Sequence, residues 1–482
     1  MPNRRKYRRV ILRTPEDLIR GFRMLQSILK TPRFGTYVRH LEIDRFSPPG
    51  PDVYGPQQEP PQVSLLPENL SRLERAIDRA GFDISEAERV LNVLLQDLKY
   101  RCISHAERAV YFYRIIREMP FYAQALAALL VSVSPHLESL TLCPLEGVLK
   151  CERMREEAKS VVCCPCRLFF KHFLDRANDR GHKLPFLQKL RTVRFLADYL
   201  GGYSSYYYQP FDLCESLNLI RRLPAIESVR VDGITVPNRS SIELPPRTAN
   251  YSKIEIRHSD VNYLHLIHTI RSAKSLKEFA YTIGGYGSMD DSFAIFIPDV
   301  LFRSLLEYWE TLEYLDLDFE ADLPLEALSF RDYRSQYGPA YFHEWEGQRP
   351  PPTRSFLRSF TKLRSLCLGI HLLYYLARGI GDDLSEEVFS LADRLPLNLE
   401  SLRIYGYEKG MKPRVKGLAS HIFDDMLSQL LKEKEEKLPC LTHIAGIEEL
   451  IDHAATLPPQ RRPEDIRLVW QREEDQWTEY EY

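Results

Sequence analysis

Five cysteines fall within 24 residues, Cys143, Cys151, Cys163, Cys164 and Cys166, with His172 and His182 close behind. Thiolate and imidazole at that density are zinc ligands, which usually act four at a time in a tetrahedron and commonly as two CxxC pairs. The tight group here is Cys-Cys-Pro-Cys, and adjacent cysteines do not readily aim at one ion, so small buried or loop thiols are the expectation. His343-Glu344-Trp345-Glu346 lacks the second histidine of a helix-borne zinc protease site. Gly284-Gly285-Tyr286-Gly287-Ser288 is glycine-rich, but no Lys-Ser/Thr follows it to hold a phosphate, and a turn after a strand explains it. Asp382-Asp383 with Ser385-Glu386-Glu387 resembles a carboxylate pair, yet acidic residues at a helix start are what the dipole alone favours. No catalytic residue, cofactor or metal site is expected from these patterns, and the chain reads as a non-enzyme.

Aromatic loops are a different matter. Tyr203, Tyr206, Tyr207 and Tyr208 lie among Gly201, Gly202, Ser204 and Ser205, and Tyr333, Tyr341 and Trp345 lie in the long segment Phe330 to Thr353. Tyr and Trp offer large contact area at low entropy cost, and loop aromatics are typical of binding surfaces. These seven residues are the candidate protein contacts.

The elements that would carry such loops are announced by a recurring phrase, L-x-x-L-x-L. Leu312/Leu315/Leu317 is the clearest copy, and it is matched by Leu137/Leu140/Leu142, Leu190/Val193/Phe195, Ile226/Val229/Val231, Tyr251/Ile254/Ile256 and Leu276/Phe279/Tyr281. Leu363/Leu366/Leu368 and Leu399/Leu402/Ile404 continue it, and Leu441/Ile444 is a degraded last copy. The fourth and sixth positions alternate inward on a short strand, since strand side chains have period two. Glu313, Asp316, Arg364, Glu400 and Arg403 then point outward. One such unit cannot cover its own apolar edge, so neighbours must stack. The fold class expected is α/β, an irregular leucine-rich-repeat solenoid of short parallel strands alternating with helices.

Taken along the chain, residues 1–13 read as a basic, disordered N-terminus, with Arg4-Arg5-Lys6-Tyr7-Arg8-Arg9 at its centre. The solenoid is expected over 14–450. Its first helix starts at Thr14-Pro15-Glu16-Asp17, which supplies a cap, a first-turn proline and acidic residues at the positive end of the dipole. A proline-rich insertion occupies 47–67, and a helical insert spans 69–133, with Ser85 and Glu88 as a capping box. Further helices are expected at Arg167 to Asn178, Phe211 to Arg222, Val261 to Ala273, Val300 to Trp309, Ser385 to Arg394 and Leu418 to Lys437. An acidic, mostly disordered tail covers 451–482.

The bulk composition sets the class of partner. A formal net charge of -2 implies no general attraction to nucleic acid or to anionic membrane. The longest apolar run, Ala125 to Val133, falls far short of the ~20 residues a spanning helix needs. Nine cysteines without an apolar secretory stretch after Met1 point to reduced thiols in the cytoplasm or nucleus.

Arg13-Thr14-Pro15-Glu16-Asp17-Leu18, leading to Tyr37-Val38-Arg39-His40-Leu41 and then to irregular Leu-x-x-Leu-x-Leu strands, resembles the filamentous-fungal F-box and leucine-rich-repeat-like proteins. The likeness runs from Arg13 to about Gly446. It implies a repeat array that selects a protein substrate, and a ubiquitin-ligase adaptor as the partner of a helical F-box. No F-box is recognisable in this chain. Leu66-Pro67-Glu68-Asn69-Leu70 imitates its start, but it lies inside the array and is followed by Arg72, Arg75 and Arg79. The function expected is therefore a non-catalytic protein–protein interaction scaffold with an unidentified protein partner. The alternative is a substrate receptor of a cullin-RING ubiquitin ligase with a missing or degenerate F-box.

Overall fold

A computed structural model describes residues 7–43, 63–96, 122–142, 169–179, 184–196, 209–236, 244–284, 298–318, 320, 356–378, 389–414 and 419–450. Strands whose inward residues are all apolar need a neighbour on each side, and a parallel neighbour needs a crossover to return the chain to its starting edge. The chain meets both needs by repetition. Among the described residues, eleven strands lie in one open, parallel sheet in the order of the sequence, with helices between them. A further parallel pair of two residues each, β5 (Gln209–Pro210) with β7 (Ile234–Thr235), stands apart.

The chain divides into two compact units, Met1–Glu255 with Arg271–Ser275, and Ile256–Ile270 with Leu276–Tyr482. In the first unit β1 (Arg9–Leu12), β2 (His40–Ile43), β3 (Ser139–Leu142), β4 (Thr192–Phe195) and β6 (Ser228–Asp232) pair in turn. Their register stacks Val10, Leu41, Leu140, Val193 and Val229 as one inward row. A second row is Leu12, Ile43, Leu142, Phe195 and Val231. All ten are buried. The next strand, β8 (Lys253–Arg257), holds the point at which the units divide.

In the second unit β9 (Glu278–Thr282), β10 (Tyr314–Asp318), β11 (Ser365–Gly369), β12 (Ser401–Tyr405) and β13 (His443–Ala445) follow each other. Phe279, Leu315, Leu366, Leu402 and Ile444 form one inward row there, and Tyr281, Leu317, Leu368 and Ile404 the other. Each fully buried Leu stabilises the fold by about 1.5–3 kcal/mol relative to exposure.

Polar residues at the turns ahead of the strands tie each turn to the one before it. In the second unit Thr311 Oγ1 donates to the Leu276 carbonyl (2.8 Å), and the Thr361 N–H to that of Trp309 (3.1 Å). Asn398 Nδ2 donates to the Thr361 carbonyl (2.8 Å), and Thr442 Oγ1 to that of Glu400 (3.3 Å). A buried or turn carbonyl needs a donor, and these side chains and backbone N–H groups supply one.

Several expectations needed correction. Arg9–Leu12, assigned by sequence to a disordered end, is a strand, because Val10 and Leu12 alternate inward and dock beside β2. The first helix, Pro15–Lys30, is capped as expected, with the Asp17 N–H donating to Thr14 Oγ1 and the Thr14 N–H to Asp17 (both 3.2 Å). The second capping box is Asp83 with Glu86, not Ser85 with Glu88. Asp83 out-competes Ser85, whose hydroxyl instead donates to the Asp83 carboxylate (2.9 Å). Helix Ile370–Arg378 was not anticipated, since it follows β11 without any break. The sequence placed a helix at Ser385 to Arg394, and the described part of that stretch holds a 3-10 turn, Leu391–Asp393. The insert yields helices Pro67–Ala80, Ile84–Leu94 and 122–132, and every residue from Tyr122 to Val131 is buried. Glycine permits the close packing here. A Cβ on Gly21 would lie 3.0 Å from Leu126 Cδ2 and 2.8 Å from Leu12 Cδ2.

The insertion from Ser47 to Pro61 and the tail 451–482 lie outside the described residues.

Candidate functional site

Strand periodicity that sends Leu315 and Leu317 inward sends Tyr314, Asp316 and Asp318 to the opposite face of β10. The same alternation puts Glu278, Ala280 and Thr282 there from β9, Ser365, Cys367 and Gly369 from β11, and Ser401, Arg403 and Tyr405 from β12. The sequence reading took this face as open to solvent. Glu313, Arg364, Glu400 and Arg403 are indeed exposed, but Asp316 retains only 3% of its surface.

Asp316 survives that burial because its carboxylate is fully engaged. Oδ2 pairs with Arg257 Nη1 (2.8 Å) and accepts from Tyr314 Oη (3.1 Å), and Oδ1 accepts from Tyr405 Oη (2.9 Å). A paired, hydrogen-bonded charge is the form in which a buried carboxylate is tolerated. Burial, and then the Asp316 charge, push both tyrosine hydroxyls far above the usual phenol range, so both stay donors. Burial also pushes the Cys367 thiol up to about 11, with Asp316 adding to it, which leaves that sulfur unreactive.

Beside this satisfied centre lie two carboxylates of a different kind. Asp318, half-buried, is pushed up to about 6, first by burial and then by the charges of Asp316 and Glu320. Glu320 is buried, its side chain 7% exposed, and Oε1 is hydrogen-bonded to His371 Nδ1. His371 Nε2 accepts the Arg414 N–H (3.1 Å), so the ring proton sits on Nδ1 and the imidazole donates to Glu320. Arg414 also donates from Nη1 to the Glu320 carbonyl (3.2 Å). Two glycines make room for the Glu320 side chain. A Cβ on Gly369 would lie 2.8 Å from its Cδ, and one on Gly406 would lie 2.6 Å from its Cγ.

The first unit carries a milder version of the same polar face. Register places Glu42, Thr141, Arg194 and Arg230 in one outward row. Glu42 accepts from Arg9 (2.7 Å) and Arg13, and although burial raises its pKa, those hydrogen bonds outweigh it and hold the carboxyl below its usual range. Arg230 faces Asp232 (3.3 Å) and Glu255 (3.8 Å), and Arg194 faces Asp232 (3.8 Å). Thr141, Arg194, Arg230 and Glu255 are half-buried while Glu42 and Asp232 are buried, so the row sets partly exposed arginines over buried carboxylates. At the opposite, N-terminal end of the second unit's strands, Lys277, Glu310, Thr311, Glu313, Lys362 and Arg364 line a shallow depression.

The seven aromatic contact candidates, Tyr203, Tyr206, Tyr207, Tyr208, Tyr333, Tyr341 and Trp345, lie outside the described residues. So do the Cys143 to Cys166 group, His343 to Glu346 and Asp382 to Glu387. Among the described residues no group of three or more His, Cys, Asp or Glu is placed to hold a metal ion, and no helix is long and apolar enough to cross a membrane. The carboxylates now seen together were missed by the sequence reading, although their signal was present. Asp316, Asp318 and Glu320 recur at every second residue, which is the spacing that puts strand side chains on one face. The partners Arg257, His371 and Tyr405 come from elements distant in sequence, β8, helix Ile370–Arg378 and β12, and no local pattern names them.

No protein-family model matches the chain, and no curated protein is significantly similar to it.

Proposed function

We propose that the chain is a non-catalytic protein-interaction scaffold, an irregular leucine-rich-repeat array that binds a protein partner through its outward strand face and inserted loops. The observation that carries this reading is the register of that face. In-phase parallel pairing turns single outward residues into rows across successive strands, as with Glu42, Thr141, Arg194 and Arg230. Rows of mixed charge give a partner specificity and register more than raw affinity. The aromatic loops Tyr203 to Tyr208 and Tyr333 to Trp345 would add the large anchors that carry most of an interface's energy. The non-catalytic reading draws support from the polar groups just described. Asp316 is saturated with partners, the Cys367 thiol is held protonated, and the Nε2 lone pair of His371 is occupied by a backbone N–H.

The test is affinity purification of the full chain from its native source, with the partner-to-chain ratio quantified. The expected result is a protein recovered in fixed stoichiometry. Recovery of no protein at fixed stoichiometry would overturn the reading.

A second reading, a substrate receptor of a cullin-RING ubiquitin ligase, draws on the resemblance and on one position. Leu66, directly ahead of Pro67 at the start of a helix, is 71% exposed, which leaves an apolar side chain available to an adaptor. A pull-down with the adaptor, repeated with Leu66→Asp, discriminates the two readings.

A further inference from the structure

The residue that follows the first apolar position of the L-x-x-L-x-L phrase alternates in sign from strand to strand. In the second unit this row is Lys277, Glu313, Arg364 and Glu400, all exposed at the N-terminal end of the strands. Backbone hydrogen bonds hold the four in register. The Glu313 N–H donates to the Lys277 carbonyl (2.7 Å), that of Arg364 to Glu313 (2.9 Å) and that of Glu400 to Arg364 (2.8 Å). The first unit repeats the order as Arg39, Glu138, Arg191 and Glu227, linked by the same kind of bond (2.8, 2.9 and 2.8 Å). Pairing along the row uses little of this charge, since Arg364 reaches Glu400 only at 3.5 Å with both side chains more than half exposed.

A row of alternating sign is complementary to itself. Turned by a two-fold axis between its central members, it sets Glu313 opposite Arg364 of a second copy and Lys277 opposite Glu400 of that copy. A second pair on the same edge obeys the same operation. The Thr361 N–H donates to the Trp309 carbonyl (3.1 Å), which places Glu310 and Lys362 on the two central turns, where both line the shallow depression with Glu313 and Arg364. The rotation that brings Glu313 to Arg364 also brings Glu310 to Lys362. Apolar surface is present as well, because Trp309 is 43% and Leu397 52% exposed, and Leu397 lies on the turn that Asn398 ties to Thr361. Other partners match the row less closely. A peptide or nucleic acid of one sign meets like charge at every second strand. An extended peptide repeats its same-face side chains about every 6.5–7 Å and a helix about every 5–6 Å, whereas neighbouring strands are about 4.8 Å apart. The ruler that fits is another edge of the same kind.

We propose that the N-terminal edge of the second unit's strands is a self-association surface, closed by a second copy of this chain across a two-fold axis between β10 and β11. Such an interface is isologous, so each opposed pair occurs twice. It is separate from the outward face proposed above for a different protein, and neither depends on the other. The competing account keeps the alternation within one chain, where it spares like charges from lying side by side on adjacent strands.

The test is sedimentation equilibrium of the full chain, with Glu313→Arg, Arg364→Glu and an equimolar mixture of the two. Wild type is expected to dimerise, and more weakly as salt rises, because exposed charges are screened. Each single reversal opposes like charges at two symmetry-related places and is expected to raise the dimer Kd at least about tenfold. In the mixture every opposed pair is again of opposite sign, so a heterodimer of near wild-type Kd is expected. Circular-dichroism melts confirm that each variant is folded, and if a central variant is not, Lys277→Glu with Glu400→Lys applies the same exchange to the outer pair. Wild type that is monomeric at about 0.1 mM, a dimer that neither reversal weakens, or no recovery on mixing overturns the proposal. A monomeric chain that still retains a different protein on affinity purification refutes self-association and leaves the interaction reading standing. A dimer that obeys the charge exchange without any other recoverable protein does the reverse.

Discussion

Gly369→Ala is the perturbation whose consequence the structure specifies most fully. Gly369 ends β11 without a left-handed φ, so its backbone accepts alanine and only space is at issue. The new methyl would lie 2.8 Å from Glu320 Cδ and 2.9 Å from its Cβ, and it would also collide with Oε2. A flexible tip could swing away, but a contact reaching back to Cβ requires the whole side chain to move. Glu320 would then lose its hydrogen bond with His371, and His371 would keep a buried Nδ1–H without an acceptor. Overpacking costs about 1–3 kcal/mol. The orphaned imidazole donor adds about 1–3 kcal/mol. In a Glu320→Gly background the collision is gone, and replacing glycine within a strand should then be neutral or stabilising by about 0.5–1 kcal/mol. The assay is a double-mutant cycle by urea denaturation, with Gly369→Ala, Glu320→Gly and the pair measured against wild type. The expected coupling is at least about 1 kcal/mol, with alanine at 369 tolerated only when Glu320 is absent. Additive effects within about 0.5 kcal/mol would show that Gly369 is not there to seat Glu320.

Three further outcomes are expected. Asp318 keeps its proton to about pH 6 in the folded chain against 3.8 for an ordinary aspartate, so the stability this group contributes is greatest below that lower value and is lost as pH rises to about 6. A tenfold change in proton affinity on folding corresponds to about 1.4 kcal/mol, and with the group only half-buried, Asp318→Asn should remove about 1–2 kcal/mol of that pH dependence in melts from pH 4 to 7. An unchanged slope would show that burial does not raise the Asp318 carboxyl above its usual range. Leu366 is fully buried between Leu315 and Leu402, so Leu366→Asp puts an unpaired charge in the inward row, costs several kcal/mol and should unfold the second unit. A soluble Leu366→Asp chain with the wild-type melting temperature would contradict the stacked rows. Once a partner is in hand, Tyr206→Ala with Tyr207→Ala, and separately Trp345→Ala, should each weaken binding by about 1–3 kcal/mol without moving the melting temperature, and wild-type affinity in both would remove those loops from the interface.

The inward half of this fold could be read from the chain because it rests on local periodicity. Leu315, Leu366 and Leu402 sit at the same place in the same phrase, and the strands that carry them stack in chain order. Thr14 capping Asp17 was equally local. β1 was missed because its four residues, Arg-Val-Ile-Leu, follow a run of cations that outweighs a short alternation. The outward half failed for a different reason. Asp316 looks like any solvent-facing strand residue until Arg257, 59 positions earlier, and Tyr405, 89 positions later, arrive beside it. Glycines 369 and 406 give no sign in sequence that a side chain from residue 320 fills the space they leave. Such contacts join elements far apart in the chain, and the phrase fixes only which way each residue faces.

The central claim is that a protein partner is held on the outward strand face. It is tested most directly by quantitative affinity purification with two charge reversals compared against wild type. Arg403→Glu changes an exposed residue of that face on β12, and Glu435→Lys changes an exposed residue of helix Ile422–Lys437. The account predicts that Arg403→Glu loses most of the partner while Glu435→Lys retains it, with both chains folded. Retention by Arg403→Glu together with loss by Glu435→Lys would contradict it and move the interface to the helices.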